Sequence, residues 1–355
     1  MRLRILISTV LLLVLGYSFF WFYMAGEVED RIESFVRLQK PKGILIRYQG
    51  LDISGFPYRM DIGLKGVEVT YVAQGKRPVF LSSPQITFIA FPWKITQGVI
   101  FSKGSDIRIG HKNDPILHMV IGAVRASALV DLETHSVTKA SFIIDKIAWP
   151  AGPSSPHGET YEAHDVKLHI LRPALPENTD TMELPVQMKV YLEARNIISK
   201  ENFQDMPSAL FVKKINQLRV DLQIHGSTMP SYSKDSLGAW RDEGGTLSLN
   251  ILEITSGDMD IETNGEVTLD QDFKPLGAFS TKVHGLSHII EILAQQPAFK
   301  EGPGSELLQD LKRLNRGAPA EGTQEKNVVE MALSLQSGML YIGSVPVLDL
   351  KAVVE

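Results

Sequence analysis

The stretch Met60–Tyr71, MDIGLKGVEVTY, decides the fold class. Met60, Ile62 and Leu64 alternate with Asp61, Gly63 and Lys65. Beyond Gly66, Val67, Val69 and Tyr71 alternate with Glu68 and Thr70. A period of two marks a strand with one buried and one wet face. The same beat returns at Val166-Leu168-Ile170, Val186-Met188-Val190-Leu192, Leu218-Val220-Leu222-Ile224 and Leu247-Leu249-Ile251. It recurs at Met259-Ile261, Val267-Leu269 and Val329-Met331-Leu333-Leu335. Gly75-Lys76, Asn264-Gly265, Asp270-Gln271-Asp272, Ser337-Gly338 and Gly343-Ser344 read as the turns between runs. Connections this short join antiparallel neighbours, because parallel strands need a crossover of roughly a dozen residues or more.

A few helices interrupt the strands. Residues 207–216 carry Leu210, Phe211 and Ile215 at helical spacing. Ser287 caps a helix over 288–296 that Pro297 closes, and Ser305 caps one over 306–315 that Gly317 ends. Residues 150–160 (PAGPSSPHGET) and 317–327 (GAPAEGTQEKN) read as exposed loops, the first a soft division of the body.

Residues 5–24, ILISTVLLLVLGYSFFWFYM, hold no charge. At 1.5 Å per residue they extend about 30 Å, the thickness of a bilayer's hydrocarbon core. The run is longer than a signal peptide's apolar region and ends in bulky Phe22-Tyr23-Met24. Cleavage near Ala25-Gly26 is the alternative. Arg2 and Arg4 precede the run, while Glu27, Glu29 and Asp30 follow it, so the N-terminus stays cytoplasmic and the body is translocated. Tyr17, Trp21 and Tyr23 fall where amphipathic rings prefer headgroups. Residues 27–39 continue the helix as a stalk, with Val28, Ile32, Phe35, Val36 and Leu38 on one broad face, until Pro41 and Gly43. The expected organisation is 1–26 cytoplasmic tip and membrane anchor, 27–40 helical stalk and 41–355 periplasmic body. The expected fold is mainly β with a few short helices: long antiparallel curved sheets behind a single N-terminal transmembrane helix.

Composition sets further bounds. With 355 residues, 44% apolar and 22% charged, the chain is globular. A net charge of −5 offers no basic footprint for nucleic acid. The absence of cysteine removes disulfides and thiolate chemistry. No nucleophile elbow, Walker loop, Gly-x-Gly-x-x-Gly or His-Glu-x-x-His is present. His284, His288 and Glu291 have loose metal spacing, but Gly285 and Ser287 mark a loop entering a helix. Asp242-Glu243 and Asp258-Asp260 are carboxylate pairs that fit a wet face and a turn as well as glycoside chemistry. Arg59 and Arg108 are candidates for a phosphate or lipid headgroup.

Two local features carry aromatic rings. In Gly55-Phe56-Pro57-Tyr58-Arg59 the proline makes a rigid corner between strands. Residues 86–93, ITFIAFPW, followed by Val99-Ile100-Phe101, are apolar on both alternating sets. Such a strand is either interior to the body, or the wall of an apolar groove or a contact with the bilayer surface.

Gly55-Phe56-Pro57-Tyr58-Arg59, Trp240-Arg241-Asp242-Glu243-Gly244-Gly245-Thr246-Leu247 and the segment 335–343, LQSGMLYIG, occur in that order behind the anchor. Together they resemble an uncharacterised bacterial family, domain of unknown function twenty-one twenty-five, typical of alphaproteobacteria. The resemblance covers most of the chain and implies no activity. The glycine-punctuated strand pairs are loosely similar to AsmA-like proteins, which hang long curved sheets into the periplasm and are implicated in lipid movement or envelope integrity. That likeness concerns fold, not function.

The sequence thus reads as a protein of the bacterial inner membrane, with no catalytic, metal or cofactor residues, binding lipid acyl chains or an envelope partner through a β-sheet groove. An anchored hydrolase using a carboxylate pair, and a scaffold for other envelope proteins, are the alternatives. Phe56, Pro57, Tyr58, Arg59, Phe88, Phe91, Trp93 and Trp240 are the candidate ligand or structural residues.

Overall fold

Anchor and stalk form one helix, α1 (Arg2–Gln39), in a computed structural model of the chain. The structure describes residues 2–72, 77–91, 93–111, 114–131, 133–134, 136–150, 160–174, 184–199, 214–295, 299–316 and 328–354. The expected turn at Gly75-Lys76, Pro297, and the loops over 151–159 and 317–327 lie outside them. Helix α1 is long and apolar enough to cross a membrane. A single 3-10 turn, Lys40–Lys42, ends it at Gly43. The chain then divides into two compact units, Met1–Val137 with Phe142–Glu159 and Thr138–Ser141 with Thr160–Glu355.

The first unit holds α1 and the strands β1 (Ile44–Arg47), β2 (Gly50–Ser54), β3 (Met60–Tyr71), β4 (Val79–Phe91), β5 (Lys94–Ser102), β6 (Ser105–His111), β7 (Asp114–Ile121) and β8 (Val124–Asp131). Most of β9 (Ser136–Pro150) also belongs to it. Among the described residues, strands β1 to β8 pair antiparallel. Strand β3 takes β2 and β1 in tandem on one edge and β4 on the other. The long β4 then forks: Ile86–Phe91 continues into β5 and β8, and Val79–Ser82 into β6 and β7. Buried Ser83 sits at the fork, donating to the Gly104 carbonyl at 2.6 Å and sharing a 3.0 Å contact with the Ser102 hydroxyl.

The second unit is an up-and-down meander of nine strands: β10 (Thr160–Leu171), β11 (Val186–Ser199), β12 (Lys214–His225), β13 (Thr246–Ser256), β14 (Met259–Leu269), β15 (Pro275–His284), β16 (Val329–Gln336), β17 (Met339–Ile342) and β18 (Val345–Asp349). Each pairs antiparallel with the next. Helix α2 (Lys234–Asp242) bridges β12 and β13; α3 (Leu286–Gln295) and α4 (Gly302–Arg316) bridge β15 and β16. Leu286, Ile289, Ile290 and Leu293 recur at helical spacing on α3 and meet Leu308 and Leu311 of α4, with Met259, Val283, Phe299 and Val345 closing the core.

One register row of this meander is charged: Lys167, Glu193, Arg219, Glu253, Glu262, Lys282 and Glu330 are successive cross-strand partners. The next row is apolar over its first four strands, Leu168, Leu192, Val220 and Leu252, all half-buried. Glu193, 7% exposed, accepts from Arg195 at 2.9 Å, the Tyr191 hydroxyl at 3.1 Å and Lys167 at 3.4 Å. Burial alone would raise its pKa, but the Tyr191 hydroxyl and the two cations outweigh it and hold Glu193 below its ordinary 4.5. A lowered folded-state pKa contributes stability that is complete above the unfolded pKa and is lost as pH falls through the folded value. Glu193→Gln should therefore cost about 1–2 kcal/mol near neutral pH, below the value for a fully buried pair because both cations are partly solvated. The difference in Tm between wild type and variant should close on acidification below about pH 4; a pH-independent difference would contradict this account.

Three expectations about local structure are corrected. Asn264-Gly265 is no turn: both residues pair inside β14, with Ser280 and Phe279, so 258–269 is one hairpin arm after its Gly257-Asp258 turn. Ile215 belongs to strand β12, while most of the expected helix over 207–216 lies outside the described residues. Helices α3 and α4 start earlier than their expected serine caps, at Leu286 and Gly302. By contrast, Ser337 and Gly338 both take positive φ between β16 and β17, as a tight hairpin requires.

Candidate functional site

The Gly55-Phe56-Pro57-Tyr58-Arg59 corner joins β2 to β3 and is the socket of α1. Gly55 has φ of +99°, and its carbonyl accepts from the Arg59 amide at 3.1 Å. A side chain there would meet the Arg59 carbonyl, so glycine is required. The Phe56-Pro57 bond is cis. The corner turns two carbonyls toward the helix: the Tyr17 hydroxyl donates to Pro57 and the Trp21 indole to Arg59 at 3.2 Å. Phe56 stacks on Phe22 at 5.7 Å and meets Trp21 edge-on at 5.6 Å. Trp21 is only 3% exposed, its ring packed into the helix–sheet contact. Arg59 pairs with Asp61 at 2.9 Å, and Tyr58 is left 74% exposed.

Below the corner lies an apolar sheet face. Ile53, Ile62, Phe88, Ile100 and Ala126 are successive partners across β2, β3, β4, β5 and β8. The flanking rows, on the same face by strand alternation, are Leu51, Leu64, Ile86, Ser102, Val124 and Met60, Ala90, Gly98, Ala128. Ser102 is the one polar member. Trp21, Met24, Ala25, Val28 and Ile32 of α1 cover its first two strands, packing with Met60, Ile62, Leu51 and Ile53. Phe35 and Leu38, expected on the same helix face, are exposed instead.

Past the helix, Phe88 is 43% exposed. Ile86, Ile89, Ala90 and Phe91 are half-buried, so residues 86–91 are not an interior strand. Trp93 lies on the β4–β5 turn, 63% exposed, its ring 5.9 Å from that of Phe91. Pro92 is outside the described residues. The structure thus gathers Phe56, Pro57, Tyr58, Arg59, Phe88, Phe91 and Trp93 in one unit, around the α1 seat and the strands beside it. Ala126 on β8 was not among the residues expected here, although VRASALVD carries the alternation that marks it.

Trp240 belongs to the second unit and plugs its own sheet. It is 7% exposed, and its indole donates to the His225 carbonyl at 2.7 Å. Of the carboxylates sought for hydrolysis, Asp242 and Glu243 are engaged by neighbours. Asp242 pairs with Arg241 at 2.7 Å, and Glu243 accepts from the Ser227 hydroxyl. A cleft of about 380 Å³ at the β4 fork is lined by Gln49, Val67, Ser83, Asp106, Val120 and Ile121. Two carboxylates line it, Glu68 and Asp106, and Asp106 is held by Arg108 at 2.8 Å and His118 at 2.5 Å. Burial would raise the Asp106 pKa, but these partners lower it, the opposite of what a general acid needs. Among the described residues, no group of three or more His, Asp or Glu could hold a metal ion.

Residues 21–351 match the family described as an uncharacterized protein conserved in bacteria (DUF2125), and the chain belongs to that family. No curated protein and no solved structure matches it. The AsmA-like likeness therefore stays an analogy of strand rhythm.

Proposed function

With membership of a family that has no assigned activity as the premise, we propose that α1 holds this protein in a bacterial inner membrane, N-terminus cytoplasmic and body periplasmic, and that the sheet face beside α1 takes lipid acyl chains. The flanking charges support the orientation: arginines before the apolar run, carboxylates after it. The observation that carries the ligand class is the row Ile53–Ile62–Phe88–Ile100–Ala126, apolar across five strands, covered by α1 at one end and open at Phe88. Four strand spacings make it about 19 Å wide.

An exposed apolar surface continuous with a membrane helix offers a lipid tail a path that never enters water. Each methylene buried there is worth about 0.8 kcal/mol before the cost of ordering the chain. The half-buried apolar row of the second unit supplies a face of the same kind. No step of bond-making is assigned to either.

Native mass spectrometry of gently purified full-length protein tests this reading. Wild type should carry phospholipid that survives detergent exchange. Phe88→Glu should lose most of it at a stability cost of about 1–3 kcal/mol, because the 43%-exposed ring is still largely packed between Ile62 and Ile100. Wild type free of acyl species, or a variant that retains them equally, would refute lipid binding at this face.

A further inference from the structure

We propose that the two turns bearing Tyr58 and Trp93 lie in the phospholipid headgroup layer where α1 emerges, so that the mouth of the apolar sheet face is held against the bilayer surface. This rests on α1 being a membrane span. The corner at 55–59 is tied to Tyr17, Trp21 and Phe22, in the outer part of the uncharged run 5–24. Those three positions span about 8 Å of helix, near the outer edge of a hydrocarbon core about 30 Å thick. The corner therefore cannot stand clear of the membrane while α1 crosses it.

The β4–β5 turn is at the same end of the sheet. Met60, the first residue after the corner, pairs with Ala90, one residue before β4 ends at Phe91. Tyr58 is 74% and Trp93 63% exposed, although both rings are large and largely apolar. Such rings gain most where an apolar body and a polar tip are both accommodated, at the membrane–water boundary. The exposed Lys94 puts a cation beside them, at the level of the lipid phosphates, with the Arg59–Asp61 ion pair next to Tyr58. Held so, the path from the outer leaflet to Phe88 is a few residues long on β4.

The chain has no cysteine, so single cysteines can carry a nitroxide without background. Full-length Tyr58→Cys, Trp93→Cys and Lys94→Cys, each labelled in nanodiscs of phosphatidylethanolamine and phosphatidylglycerol, are compared with two references. Val14→Cys marks the apolar run, and Lys103→Cys the opposite end of β5. Labels at 58, 93 and 94 should show an oxygen-to-nickel-chelate accessibility ratio severalfold above that at 103 and below that at 14. Ratios equal to that at 103, with position 14 still buried in lipid, would overturn this inference and leave the anchor intact. A water-accessible position 14 would overturn the anchor itself, and this inference with it. Lys94→Cys reads the same turn with Trp93 retained, so a fold disturbed by loss of that ring cannot decide the outcome.

Discussion

Trp240→Ala should destabilise the second unit by about 3–5 kcal/mol, read as a lower urea midpoint for its unfolding transition. Two losses combine. The indole leaves a cavity, and the His225 carbonyl loses a 2.7 Å donor. The glycines around the ring are as revealing as the ring itself. A Cβ built on Gly245 would fall 2.3 Å from the Trp240 indole nitrogen, and one on Gly226 2.8 Å from its ring. Gly245→Ala should therefore be harmful in wild type and close to neutral when Trp240 is already alanine. The double-mutant cycle should show coupling of about 1–3 kcal/mol. A Trp240→Ala cost below about 1 kcal/mol, outside the range for truncating a buried aromatic, would mean the ring is not the plug described.

The second large effect concerns the α1 seat. Trp21→Ala removes the most buried ring of the helix–sheet contact and its bond to Arg59. A loss of about 3 kcal/mol, the low end for such a truncation, corresponds to roughly a hundredfold rise in the undocked population. In nanodiscs, hydrogen exchange at the Met60, Ile62 and Leu64 amides should accelerate to that extent, while exchange in β14 and β15 of the other unit stays unchanged. The helix would still be long and apolar enough to cross a membrane, since its apolar run is intact. Unchanged exchange at Met60–Leu64 would show that docking of α1 does not depend on Trp21.

Much of the fold was legible because its cause is local. The alternation in β3, β12 and β14 is written into consecutive residues, and so are the uncharged run of α1 and the Ser337-Gly338 turn. The corner at 55–59 could be recognised as a corner from Pro57 alone. That it receives α1 could not, because the carbonyls of Pro57 and Arg59 and the rings of Tyr17 and Trp21 meet only through packing some forty positions apart in sequence. Asn264-Gly265 misled for a related reason. The pair is a strong hairpin signal, but here the glycine lies within a strand where a side chain would strike the Ala278 carbonyl and Phe279. The apolar face shows the same limit. Each strand betrays which of its residues share a side, but only the registers reveal that Ile53, Ile62, Phe88, Ile100 and Ala126 form one row.

On the proposed function, this row meets lipid tails. Replacing Phe88 with the photocrosslinker 4-benzoylphenylalanine in the full-length protein, and irradiating it in native membranes, tests the claim at the exposed ring itself. Adducts carrying the mass of an intact phospholipid, absent when the group is placed at Lys103, are the predicted result. Crosslinks to protein alone, or none at all, would contradict it.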